Sequence, residues 1–98
     1  MHISKTQDGN KLTISLAGRL DSNTSPMLDR ELKANLEGIT ELILDFAQLN
    51  YLSSAGLRVI LTAQKQMNKQ GKMVITHVNE IIMEIFTMTG FAEILTIE

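Results

Sequence analysis

Three apolar segments of strand length, each followed by a stretch of helical periodicity, constrain this chain more than any other feature. Leu12, Ile14 and Leu16 alternate with Thr13, Ser15 and Ala17, the period of two expected of a strand with one apolar face. Glu41-Leu42-Ile43-Leu44-Asp45-Phe46 is almost continuously apolar and reads as a central strand covered on both faces. Lys72 to Val78 is a further apolar strand. Strands that alternate with helices argue for a largely parallel sheet joined by crossover helices.

The helices carry their own signals. At Ser25-Pro26, serine serves as the cap and proline takes the first helical position, where its missing N–H would have no partner anyway. Leu28, Leu32 and Leu36 then recur once per turn as a buried stripe, and Gly38 is the stop. A second helix is expected from about Ser54 to Gln70, with Leu57, Ile60, Leu61 and Met67 inward and Gln64, Lys65, Asn68 and Lys69 outward. Gly71 ends it. Asn79 caps a third helix carrying Ile81, Ile82, Ile85 and Phe86 as far as Gly90.

At the N-terminus, Asp8-Gly9 supplies a tight turn between a polar edge strand from Ile3 to Gln7 and the Leu12 strand, which Gly18 breaks. Ile94 to Ile97 offers a last strand. The expected architecture is α/β. A mixed sheet of four to five strands, an N-terminal antiparallel hairpin followed by parallel βαβ units, packs with three to four helices. At 98 residues the chain has the length of one domain, spanning 1–98.

Composition removes several classes of function. The absence of cysteine excludes disulfides, zinc fingers and thiol nucleophiles. Nine basic against eleven acidic residues, net −2, lack the basic footprint of a nucleic-acid binder. No apolar run reaches the roughly 18 residues of a membrane span, and Met1-His2-Ile3-Ser4-Lys5 does not begin a secretory signal. A soluble, intracellular protein is expected. No Walker-type loop occurs, and two distant histidines make no metal site.

In a parallel sheet every strand-to-helix loop emerges at one edge, where ligands of open α/β sheets bind. The loops Gly18 to Ser25, Ala47 to Ser54 and Val78 to Asn79 therefore place Asp21, Ser53, Ser54 and Asn79 on one rim. Leu52-Ser53-Ser54-Ala55-Gly56-Leu57 is the most unusual stretch there. In structural terms one serine is an N-cap, and Gly56 permits close packing of helix on sheet. In functional terms a hydroxyl at a helix N-terminus is a phosphorylation site, because unpaired N–H groups and the positive dipole end accommodate a phosphate. Asp21 also reads two ways, as an acceptor organising its own loop or as a partner contact. Arg58, beside apolar positions, is a solvated arginine or a partner for a carboxylate. A Ser54–His77–Asp21 triad lacks the Gly-x-Ser-x-Gly elbow, and His77 lies in an apolar strand where a structural histidine is the commoner outcome.

The run from Leu42 to Leu61, with Asp45 in the apolar strand and Ser53-Ser54-Ala55-Gly56 after it, resembles the central signature of STAS-domain anti-sigma factor antagonists. Gly18-Arg19-Leu20-Asp21 is similar to that family's Gly-x-Leu-Asp, and Met88-Thr89-Gly90-Phe91 to its closing helix-to-strand turn. The resemblance implies a STAS-like fold and a protein-binding switch rather than an enzyme, with no cofactor. Its implied partners are an anti-sigma factor that is also a serine kinase, and a phosphoserine phosphatase that resets the switch. Direct nucleic-acid contact and membrane insertion are not implied, and the implied location is cytoplasmic. Alignment on Gly56 places the phosphoacceptor on Ser54, with Ser53 where the family has aspartate and Ala55 where it has serine or threonine. Two adjacent serines leave Ser53 as the alternative acceptor. The implied partner surface comprises Asp21, Ser53, Ser54, Ala55, Gly56 and Arg58. A non-switching STAS scaffold subunit of a transporter or signalling complex is the other reading.

Overall fold

A computed structural model describes all 98 residues. The elements run β1 (His2–Asp8), β2 (Lys11–Leu20), α1 (Ser25–Asn35), β3 (Glu41–Leu52), α2 (Ser54–Gln70), β4 (Lys72–Thr76) and α3 (Glu80–Thr89), then a 3-10 turn over Phe91–Glu93. The sheet order is β1-β2-β3-β4, with β1 antiparallel to β2 and the remaining pairs parallel. Four strands and three α-helices match the expected mixed α/β architecture.

One apolar cluster holds the layers together. Leu12, Ile14 and Leu16 of β2 and Leu42, Leu44 and Phe46 of β3 meet Leu28 and Leu32 of α1, Leu57, Ile60 and Met67 of α2, and Ile82 and Phe86 of α3. Phe46 and Phe86 stack at a tilt, with ring centroids 6.4 Å apart. The opposite positions of β3, Ile43 and Asp45, are only half-buried. Thus β3 is covered fully on one face, not on two as its apolar run suggests. Ile43 is an apolar residue on the thinner side.

Both early strands run further than their sequence indicates. Gly18 does not end β2: it takes φ of +103° inside the strand, and pairing continues to Leu20. In β3, pairing with β2 continues through Leu52, beyond Phe46, because the register shifts twice. Each shift inserts one extra residue on the β3 side, so Phe46, Leu49 and Leu52 all point inward at a spacing of three. A stretch with that spacing fits neither the strand nor the helix pattern, which is why Ala47 to Ser54 reads as a loop. The Ser53 amide then extends the ladder to the Leu20 carbonyl at 2.9 Å, and α2 begins at the next residue.

Other expectations shift at the helices. Thr24, not Ser25, is the N-cap of α1; Ser25 is the first helical residue, buried, with its hydroxyl donating to the Asp21 carbonyl. On α2, Gln64 is buried rather than outward, and Leu61 is only half-buried. The Gln64 amide nitrogen donates to Asn68 Oδ1 at 2.8 Å. Ile81 faces solvent instead of the core. Ile94 to Ile97 forms no fifth strand; only Ile97 bridges to Ile75, and the 3-10 turn lies just before the segment, over Phe91–Glu93.

Candidate functional site

Pairing of Leu20 with Leu52 ends β2 and β3 at the same edge, from which the Asp21 turn and the Ser53–Ser54 start of α2 both emerge. Ser53 is extended, with φ −98° and ψ 174°, and its side chain accepts a hydrogen bond from the Gly56 amide at 3.4 Å. Ser53 is therefore the N-cap, using its oxygen to satisfy one of the amides that a helix start leaves free. Ser54 is the first residue of the helix and is exposed. The two serines, equivalent as residue types, are separated by geometry.

Gly56 lets this start sit tightly on the sheet. A Cβ there would stand 2.8 Å from both Leu20 Cγ and Leu52 Cδ1, well inside ordinary contact. The absent side chain thus fixes how closely the first turn of α2 approaches the strand ends that precede the rim. The packing reading of Gly56 is what the geometry shows.

Asp21 organises the turn into α1. Its Oδ1 accepts from the backbone N–H of Asn23 at 3.0 Å and of Thr24 at 3.1 Å, and the Thr24 hydroxyl lies 3.2 Å away. Its Oδ2 is 3.6 Å from Arg19 Nε. Desolvation works against the carboxylate, but the bonds from Thr24 and Asn23, with the Arg19 charge, outweigh it and hold its pKa below the ordinary 3.8. Arg19 in turn lies over the Tyr51 ring, 4.1 Å from its centroid. Neither Arg19 nor Tyr51 was singled out from sequence. The signal lies in the parallel register that pairs them across β2 and β3.

Beside Ser54 a shallow groove of about 340 Å³ runs between α1 and α2. Ser22, Ser25 and Asp29 line one side, and Ala55, Arg58 and Thr62 the other. Arg58 is exposed on its wall. Asp29, across the groove, is paired with Lys33 at 2.9 Å. No sequence motif marks this groove, since it is made by two helices adjacent only in space.

Asn79 closes the rim on the β4 side. Its Oδ1 accepts from the Ile82 amide at 2.9 Å, capping α3, while its Nδ2 donates to the Leu49 carbonyl at 3.1 Å. His77 lies beyond the end of β4, not within the strand. It is exposed with φ of +59°, and its Nδ1 is 3.0 Å from Asp45 Oδ1. With His77 bonded to Asp45 and Asp21 to its own turn, neither is hydrogen-bonded to Ser54.

The STAS domain model matches residues 2–98. The chain belongs to the STAS domain family. It is 36% identical over 85 residues to BtrV of Bordetella bronchiseptica, a candidate anti-sigma factor antagonist, covering 85% of this chain and 73% of that one. It is 26% identical over 98 residues to the anti-sigma-B factor antagonist of Bacillus subtilis, covering 99% of this chain and 90% of that one. Among solved structures, the Bacillus cell fate determinant SpoIIAA in its phosphorylated form superposes with a TM-score of 0.78 at 15% identity, covering 99% and 91% of the two chains. That last likeness establishes the shared fold. No helix of this STAS domain is long and apolar enough to cross a membrane.

Proposed function

We propose that residues 1–98 act as one STAS domain and as an anti-sigma factor antagonist, binding a serine-kinase anti-sigma factor in the cytoplasm and so releasing a sigma factor. Phosphorylation of Ser54 by that kinase ends the binding, and a phosphoserine phosphatase restores it. The chain is a binding switch and not itself an enzyme. The observation that carries this reading is the division of labour between adjacent serines: Ser53 caps α2, and Ser54 stands exposed at its first position. The names of the relatives support the partner class. The existence of a phosphorylated SpoIIAA supports the chemistry.

The proposed partner surface is built from Ser54, Ala55 and Arg58, with Ser53 and Gly56 fixing the helix start and Asp21 holding the neighbouring turn. An unmodified Ser54 presents a small neutral hydroxyl that packs against a protein surface at little cost. A phosphoserine carries roughly −1.5 to −2 charges at neutral pH. Burying that charge without a matching cation costs several kcal/mol, and each ~1.4 kcal/mol is tenfold in affinity. The fold need not change for occupancy to flip.

The test is phosphosite mapping after incubation with ATP and the serine-kinase anti-sigma factor from the same cell. Stoichiometric phosphate on Ser54 is the expected result. Phosphate on Ser53, or none on either serine, contradicts the assignment.

A further inference from the structure

The second face of the molecule that asks for a partner is α3. Of the six large hydrophobic side chains exposed on the whole chain, four fall between Ile81 and Ile94: Ile81 at 65%, Met83 at 37%, Met88 at 80% and Ile94 at 53% exposure. Ile81, half-buried Ile85 and Met88 recur at i, i+4 and i+7, which aligns them as one stripe along the helix. Such a stripe normally lies against another element, as Ile82 and Phe86 do on the inner side of the same helix. Here it has none.

Charge decides the occupant. Glu80 and Glu84 are exposed beside the stripe, on the outer side of α3, with Met83 beyond them. After Lys72 the chain carries Glu80, Glu84, Glu93 and Glu98 and no lysine or arginine, although it has nine basic residues in all. A second copy of this chain docked through α3 would set these glutamates against their own equivalents, which repel. An anionic membrane surface is disfavoured for the same reason. We infer that the Ile81–Ile85–Met88 stripe docks a basic amphipathic helix of another protein, whose apolar face packs on the stripe and whose lysines or arginines reach Glu80 and Glu84. The flexible Met88 suits such a surface because a methionine adapts to an irregular neighbour. The face shares no residue with the groove beside Ser54, so one domain presents two separate docking surfaces. This inference does not depend on Ser54 being phosphorylated.

The experiment uses two synthetic helical peptides of about 18 residues, long enough to cover α3, with the same leucine stripe and either lysine or glutamate on the polar face. Amide shifts of the 15N-labelled full chain are followed during titration. The lysine peptide is expected to bind and to shift residues 80–94, and the glutamate peptide to bind at least about tenfold more weakly. Ile81→Ser with Met88→Ser should remove binding of the lysine peptide. Glu80→Lys with Glu84→Lys should reverse the preference, while Asp8→Lys with Glu37→Lys, the same change in net charge at exposed positions elsewhere, should not. Shifts centred outside α3, equal binding of both peptides, an equal effect of the control pair, or self-association of the chain through α3 would each overturn the inference.

Discussion

Ser53 Oγ accepts the Gly56 amide at 3.4 Å, and this one bond assigns different tasks to two neighbouring serines. Ser53 is committed to the helix start. Ser54, one residue further on, is not the cap and faces solvent.

Removing the cap should cost stability without removing the acceptor. Ser53→Ala is expected to destabilise the domain by about 1 kcal/mol, within the usual range for losing a serine cap. Urea denaturation measures the loss, and kinase labelling of the same variant should still place phosphate on Ser54. Labelling that disappears with Ser53 would move the acceptor.

The close approach at Gly56 should not tolerate a methyl group. Gly56→Ala drives a Cβ into Leu20 and Leu52, at contacts of 2.8 Å. Overpacking of this kind costs about 1–3 kcal/mol, and shortening Leu52 in a Gly56→Ala, Leu52→Val double variant should recover part of it. Thermal melts of the three proteins decide. A Gly56→Ala variant as stable as the parent would mean the helix start can lift from the sheet freely.

Asp21 should make part of the stability depend on pH in the acid range. Its pKa in the folded chain lies below the ordinary 3.8, so its contribution is fully present above that value and is lost as pH falls through the lower, folded one. Asp21→Asn should therefore melt lower than the parent at neutral pH, and the gap should close on acidification. A gap that is constant from neutral to strongly acid pH would show that the carboxylate charge is not what holds the turn.

How far the fold was legible depended on whether burial followed a simple period. The leucine stripe of α1 and the Asn79 cap obey local rules and stand where the sequence puts them, while the N-terminal hairpin forms with its turn one residue later, at Gly9-Asn10, because Asp8 still pairs with Lys11. The end of β3 did not, because two register shifts against β2 break the alternation and make a strand resemble a loop. Gln64 was misplaced for a different reason: polarity argues for the surface, but its position on α2 lies between the core and Asn68, which takes its amide. Ile94 to Ile97 has strand composition, yet it makes one bridge only, to Ile75 at the β4 edge.

At the site, the alternation of strands and helices implied the rim, and the family resemblance aligned on Gly56 favoured Ser54. The Arg19–Tyr51 stack and the groove between α1 and α2 could not be read, since both join residues that are distant along the chain.

The most direct measurement is the affinity of the serine-kinase anti-sigma factor for Ser54→Ala and Ser54→Asp beside the parent, with folding of each checked by circular dichroism. Ser54→Ala should bind like the parent and accept no phosphate, while Ser54→Asp should bind at least about tenfold more weakly, the equivalent of ~1.4 kcal/mol. Equal binding of all three folded proteins would contradict the switch.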